Sequence, residues 1–366
     1  MPAHDAVIVG AGPAGATAAR TLARAGARVL LLDRAPLGRD KPCGGGLTPR
    51  AYLGLEVPID DLVAARVRNA QLRRGAGPSL RVDLGDGAVW MVRRRDFDRR
   101  LAEAAAEAGA ELHDGDSVDA IEPEAGGGVT IRTKGGAHRA AVLLLATGAE
   151  APLRRSLGFE APTERMAVAL ELEGPAHCAS LTGDHFIFDY AVPGGYAWAF
   201  PKGDWWNAGI LTVRAGVAPE LRGRLATFMA SIGLHFHDPR ASPNLATGRR
   251  IPFWLRPATV HRGPTALLGD AAGLADPLFG EGIAQAIHSG RLSAAATLDV
   301  LHGRAADLSG YPDSLRTVLG RHLWRTRQAG RVLYAAPALA LRGLGAVSAA
   351  RHAATHVATE PFRSLR

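Results

Sequence analysis

Three glycines near the N-terminus constrain this chain more than any other feature. Gly10, Gly12 and Gly15 stand in the spacing GxGxxG between an apolar run at residues 5–10 and an alanine-rich run at 14–25. Strand, glycine turn and helix in that order make the first half of a dinucleotide-binding βαβ unit. The first glycine permits the tight turn, the second lets a pyrophosphate approach the backbone, and the third lets helix pack closely on strand. Residues 28–33 read as the second strand and end in an acid. Asp33 lies 21 residues past Gly12, suited to a ribose hydroxyl. A dinucleotide is therefore expected over Gly10, Gly12, Pro13, Ala14, Gly15, Asp33 and Arg34.

That motif does not separate NAD from FAD, and two later segments bear on the choice. Residues 266–282 (ALLGDAAGLADPLFGEG) follow an apolar strand and open a helix that runs to about Leu301. Asp270 is placed to accept from a polyol hydroxyl. Gly269, Gly280 and Gly282 would bring backbone N–H groups and a helix N-terminus against an electron-rich ring. Residues 141–146 form a buried strand that runs into a turn at Thr147 and Gly148, where backbone can cross close to a cofactor. The trio resembles the FAD-dependent oxidoreductases of the p-hydroxybenzoate hydroxylase type, whose GD motif binds flavin ribityl and pyrophosphate. The resemblance implies FAD.

Three further segments narrow the branch: KPCGGGL at 41–47, YAWAFPKGD at 196–204 and DPLFGEGI at 276–283. They are similar to the geranylgeranyl reductase family, in which PCGG, YxWxFP and GDAAGxxxPxxGEGI recur. The resemblance runs from about residue 5 to about 305. It implies that Cys43 lies by the flavin and takes part in turnover, with Gly44, Gly45, Pro277 and Ile283 as further cofactor contacts. Tyr196, Trp198 and Phe200 would line a prenyl-chain site. Residues 94–101 (RRDFDRRL) resemble the family's RxxFDxxL element, whose arginine, here Arg94, contacts FAD. One departure concerns the electron donor. Related NADPH-dependent monooxygenases carry ADGxxSxxR where this chain has ATGAEAPLR at 146–154, with Thr147 for the aspartate and Ala151 for the serine. That argues against direct NADPH use and leaves the donor open between NAD(P)H and reduced ferredoxin or another small carrier protein.

The expected activity is saturation of C=C bonds in a polyprenyl group on a lipid, quinone or chlorophyll-like substrate. Hydride would come from reduced flavin N5, with a positioned acid supplying the proton. Cys43 and Tyr196 are the acids nearest by motif, and a thiol with a pKa of about 8.5 is a better neutral donor at pH 7 than an ordinary carboxylate. Trp205, Trp206, Trp254, Phe186, Phe188 and Phe253 could line an apolar tunnel, or could be plain core. Two other classes stay open: an FAD-dependent monooxygenase of an aromatic or other apolar small molecule, and an electron-relay or non-catalytic flavoprotein. A halogenase is disfavoured because no WxWxIP-like segment is visible.

Charge and cysteine usage set the context. The formal charge is +8, and residues 320–366 carry eight arginines against Glu360 alone. Such a tail reads as a solvated helical face or as a surface for anionic lipid or an acidic partner. No nucleic-acid motif accompanies it. The apolar stretch at 332–341 has ten residues, against roughly 20 for a membrane span. Cys43 and Cys178 are too far apart for a CxxC site, and His235 and His237 share a strand face without a third ligand, so no metal is expected. With no signal-like N-terminal segment, a cytoplasmic location is expected, with peripheral attachment to the inner membrane face as the variant.

The fold class expected is α/β: a Rossmann-like FAD-binding domain, a second antiparallel-sheet substrate domain and a C-terminal helical tail. The boundaries drawn are 1–65, 93–160 and 256–310 for the FAD domain, 66–92 and 161–255 for the substrate sheet, and 311–366 for the tail. Residues 111–147 read as one meander, and the tail should break at Pro337, Gly343 and Gly345.

Overall fold

The computed structural model describes residues 4–77, 79–125, 127–149, 152–160, 166–179, 184–238, 240–254 and 259–346. Ala151 and the chain beyond 346 lie outside them. The first sheet is built on five parallel strands in the spatial order Thr265–Leu267, Gly136–Leu145, His4–Val9, Val29–Asp33 and Glu111–Asp114. Its centre is continuously apolar: Val7, Ile8, Leu30, Leu31, Leu32, Leu143 and Leu144 are fully buried. Such runs are what a parallel sheet covered on both faces requires. Helix Pro13–Arg24 follows the first strand directly, with Pro13 at its first turn. A Cβ on Gly15 would stand 1.9 Å from the Gly10 carbonyl oxygen, so the third glycine serves helix-to-turn packing, as its spacing implied.

The second sheet is mostly antiparallel, in the order Leu234–Phe236, Met166–Cys178, Trp205–Thr212, Gly195–Lys202, His185–Asp189, Asn69–Arg73 and Leu80–Asp83. One face packs on helix Leu221–Ser231 through Leu225, Phe228, Ile210 and Trp206. The other faces the cavity described below. The segment 66–92 does not join this sheet whole. Asn69–Arg73 enters it as a parallel neighbour of His185–Asp189, whereas Val89–Val92 is the centre of a three-stranded sheet, with Gly46–Leu47 on one side and Val63–Val67 on the other. Nor is 111–147 one meander: Glu111–Asp114 and Gly136–Leu145 are rungs of the parallel sheet, and the hairpin Val118–Pro123/Val129–Thr133 is appended to the latter.

Helix Ile283–Leu301 crosses helix Pro13–Arg24 in direct contact. The C-terminal helices Arg321–Ala335 and Pro337–Ala346 break at Ala336, before Pro337, as proline chemistry dictates. Gly343 does not break the second of them. Among the described residues no helix is long and apolar enough to cross a membrane.

The helix crossing supplies a stability test. A Cβ on Gly290 would meet the Ala14 carbonyl oxygen at 2.4 Å, whereas one on Gly223, in an outer helix, meets nothing within 4 Å. Gly290→Ala should lower unfolding free energy by about 1–3 kcal/mol. Gly223→Ala should be neutral or stabilising by up to about 1 kcal/mol. Chemical denaturation of the two variants checks the difference.

Candidate active site

A cavity of about 1970 Å³ runs from the glycine turn of the first sheet to the face of the second. Ordinary small-molecule pockets reach about 1,000 Å³, so this one has room for a dinucleotide and a second ligand together. Its wall carries Gly10, Gly12, Pro13, Ala14, Asp33, Arg34, Cys43, Gly44, Gly45, Arg94, Thr147 and Gly148. Gly269, Asp270, Gly280, Gly282 and Ile283 join them, as do Tyr196, Trp198 and Phe200. Gly15 and Pro277, expected as cofactor contacts, stand back from the wall. Gly15 is consumed in packing, and the Pro277 carbonyl lies 2.8 Å from where a Cβ on Gly330 would be, packed on helix Arg321–Ala335.

The end nearest the glycine turn fits FAD. Asp33 accepts from the Ala11 N–H at 2.8 Å and the Ala35 N–H at 3.0 Å, which fixes the turn and leaves a lone pair on each oxygen for a hydroxyl. Arg94 is buried and forked onto Asp98 at 2.8 and 2.7 Å, with its guanidinium also against the Cys43 sulfur. Lys41 reaches the same wall, its ammonium pushed below the ordinary pKa by burial and then by Arg94. The Thr147 hydroxyl is buried on the wall with no partner among the described residues. Crowded cations and an unsatisfied hydroxyl are what a pyrophosphate and a ribityl chain would satisfy. Lys41 was not singled out from the sequence, although it adjoins the PCGG motif.

The Cys43 loop rests on the strand Gly195–Lys202. Tyr196, Trp198, Phe200 and Lys202 alternate on the cavity side of that strand. Lys202 is fully buried and paired with Glu173. A Cβ on Gly45 would fall 2.6 Å from the Lys202 Nζ, and Gly45 has a φ of +68°, so only glycine fits there. Asn207 ties the parts together: its Oδ1 accepts from the Trp198 indole N–H at 2.7 Å, and its Nδ2 donates to Glu173 at 3.0 Å and to the Cys43 carbonyl at 3.4 Å. Tyr196 is committed elsewhere. Its O–H donates to the Phe279 carbonyl at 2.5 Å, and burial pushes its pKa well above the ordinary value. It holds the loop 276–282 in place and is a poor acid, contrary to the role expected of it.

Of the aromatic tunnel set, Phe186 and Phe188 reach the wall. Trp206 is core on the opposite sheet face, Trp205 lies 4.0 Å beneath the Arg93 guanidinium, Trp254 packs on the parallel-sheet core, and Phe253 is buried behind the wall. Other wall residues went unnoticed in the sequence: Arg50, Glu171, and His322, Thr326, Ala329 and Leu333 of the tail. His322 Nε2 lies 3.1 Å from Asp276. Burial pushes the Asp276 carboxyl up, but His322 and the Phe279 N–H outweigh it and hold its pKa below the ordinary range.

Glu281, at the head of helix Ile283–Leu301, accepts from the Ala284 N–H at 2.8 Å. Burial nonetheless raises its pKa from 4.5 to about 7. Between those values the folded chain holds a proton that the unfolded chain has released, so this group makes stability fall as pH rises from about 4.5 to 7. Glu281→Gln should remove about 1.4 kcal/mol per pH unit from that slope. Urea denaturation of both proteins across the window measures it. An unchanged slope would mean that Glu281 is ionised throughout.

The FAD binding domain family profile matches residues 3–186. The geranylgeranyl diphosphate reductase of Rhodobacter capsulatus is 33% identical over 83% of this chain and 78% of its own length. The menaquinone reductase of Mycobacterium tuberculosis is 31% identical over 79% of this chain and 75% of its own. A geranylgeranyl bacteriochlorophyll reductase-like protein from Thermoplasma acidophilum superposes with a TM-score of 0.76 at 25% identity, covering 90% of this chain and 87% of that one. The profile covers the glycine turn and the Cys43 loop, and with relatives of this identity and coverage the chain belongs to the geranylgeranyl reductase family of FAD-dependent oxidoreductases.

Proposed function

We propose that the protein saturates C=C bonds of a polyprenyl chain carried by a lipid, a quinone or a chlorophyll-like molecule. The observation that carries this reading is the continuity of the cavity. The residues of its cofactor end share one cavity with an apolar arm of the wall made by Phe188, Tyr196, Trp198 and Leu333, and the lining extends to Leu344 of the last helix. An aromatic acid or phenol would not need an apolar wall that extends to the last helix, and a relay protein would not need it at all. The names of the relatives, reductases of geranylgeranyl diphosphate and of menaquinone, support the same substrate class.

Bound FAD, once reduced, supplies the hydride. The chain supplies the rest. Phe188, Trp198 and Leu333 hold the substrate by burial of apolar surface and exclude water from the reacting bond. The Asn207 bridge fixes Trp198 and the Cys43 carbonyl in one frame, which sets where that bond sits relative to the cofactor. Cys43 presents a free thiol at the junction, its sulfur accepting from the Gly45 N–H at 3.4 Å. The electron donor is NAD(P)H or a small reduced carrier, and the basic C-terminal surface favours an acidic carrier.

The last two helices, which carry Val332, Leu333 and Leu344 of the wall, expose Val332, Leu339 and Leu344, with Arg331 and Arg342 exposed on the same helices. This surface suits peripheral contact with an anionic bilayer, from which a prenyl chain could enter. Tyr334 does not dip into that interface: its O–H donates to the Leu278 carbonyl at 2.5 Å, inside the fold.

Two measurements test the reading. The protein reduced anaerobically by dithionite should regain oxidised-flavin absorbance on addition of geranylgeraniol or geranylgeranyl diphosphate, with product heavier by two hydrogens per turnover. Failure with every prenyl compound, alongside fast oxygen-dependent NAD(P)H oxidation, would make it a monooxygenase. Val332→Asp and Leu339→Asp should each weaken sedimentation with anionic vesicles about tenfold, the worth of one buried apolar side chain. Unchanged sedimentation would rule out this surface.

A further inference from the structure

The register of the second sheet brings one more acid to the reacting end of the cavity. Trp198 pairs with Gly209, and Gly209 with Glu171; one step along, Phe200 pairs with Asn207, and Asn207 with Glu173. Both glutamates therefore share the cavity face with the aromatic motif. Gly209, between Trp198 and Glu171, has no side chain. A Cβ there would meet the indole Cζ2 at 2.1 Å, so the ring lies across the glycine toward Glu171. Of the two glutamates, Glu171 is the one that reaches the cavity wall.

Charge bookkeeping in this cluster leaves a proton over. It holds two carboxyls and one ammonium, and Lys202 is committed to Glu173, which also receives the Asn207 amide. The other groups facing Glu171 are the Cys43 backbone N–H and the Asn207 side chain, neither of them a cation. Arg249, one register step away on the neighbouring strand and also on the wall, is exposed and donates to the Gly248 carbonyl, and Arg94 is forked onto Asp98 and faces the Cys43 sulfur. A carboxylate without its own counter-ion in an apolar cavity takes up a proton.

We propose that Glu171 is the catalytic acid of this site, delivering the proton that completes saturation of the substrate double bond. The inference rests on the reduction proposed above. One carbon of the bond would receive hydride from reduced FAD and the other the Glu171 proton; two C–H bonds form, the π bond is lost, and Glu171 is left as a carboxylate that solvent reprotonates once product has left. Desolvation, opposed by Lys202 and aided by Glu173, raises the Glu171 pKa to about 7, and an acid matched to the working pH transfers its proton most efficiently. Tyr196 is unsuited by its bond to Phe279. Cys43 sits close enough to share the task, but Glu171 needs no second group to be protonated at neutral pH.

The test uses the FAD-loaded protein and its Glu171→Gln and Glu173→Gln variants. In infrared titration of the oxidised protein, Glu171 and Glu281 should both give carboxyl signals titrating near pH 7, and Glu171→Gln should remove one and leave the Glu281 signal. In anaerobic single turnovers with geranylgeraniol, wild-type reoxidation should slow above about pH 7 as the acid ionises. Glu171→Gln should be slower by about a hundredfold or more and lose that limb, with FAD content and the substrate-induced flavin spectral change retained. Glu173→Gln removes the charge that adds to desolvation in raising the Glu171 pKa, so its limb should move to lower pH, which a merely structural role would not produce. Reoxidation of Glu171→Gln within threefold of wild type, with the limb intact, would overturn the assignment while leaving the reductase reading in place. A wild-type protein that no prenyl compound reoxidises would sink both.

Discussion

The contact on which the site depends is the buried one between the Cys43–Gly46 loop and the strand Gly195–Lys202. The loop belongs to the connections of the FAD-binding sheet, and the strand belongs to the other sheet. Lys202 is fully buried where they meet, paired with Glu173 and pressed against Gly45. Burying an ammonium costs several kcal/mol unless a carboxylate and further hydrogen bonds compensate, and removing one partner of such a pair costs about 3–5 kcal/mol. The pair is therefore weak as a source of stability and strong as a constraint: the loop has one seat. That seat puts Cys43 at the meeting point of the cofactor end and the apolar arm, and Asn207 carries the constraint on to Trp198.

Much of this was legible in the sequence because the FAD end is built from local rules. Glycines at Gly10, Gly12 and Gly15 report close backbone approaches that no other residue tolerates, and the apolar runs around them report a two-sided parallel sheet. Glu171 was not legible for an equally physical reason. Residues 169–173 read Ala-Leu-Glu-Leu-Glu, the alternation of a strand with one wet face. Leu170 and Leu172 do pack on helix Leu221–Ser231, but the opposite face is roofed by the Cys43 loop and so turns inward. Alternation says which residues share a face, never what covers it. The split of 66–92 between two sheets was hidden likewise, since partner choice depends on strands more than 100 residues away.

The C-terminal helices show the same limit. Their arginines invite a reading as a solvated or membrane-facing tail, yet one side of helix Arg321–Ala335 is structural. Gly330 seats against Pro277, His322 meets Asp276, and Tyr334 donates to Leu278. The opposite side keeps Trp324 and Val332 in the open. One helix thus lines the cavity beside loop 276–282 and presents exposed Trp324 and Val332 on its other side. Pro277, which motif resemblance placed on the cofactor, packs its carbonyl against this helix.

The central claim is that a single cavity holds FAD and an apolar chain end to end, with the reacting bond between the Cys43 loop and the aromatic strand. A diffraction structure of the FAD-loaded protein with a geranylgeranyl compound bound tests it most directly. The account predicts the isoalloxazine beside Cys43 and loop 276–282, the chain along Phe188, Trp198 and Leu333, and one double bond in contact with the flavin and within reach of Glu171. A flavin seated away from Cys43, or a chain bound outside the arm, would contradict it.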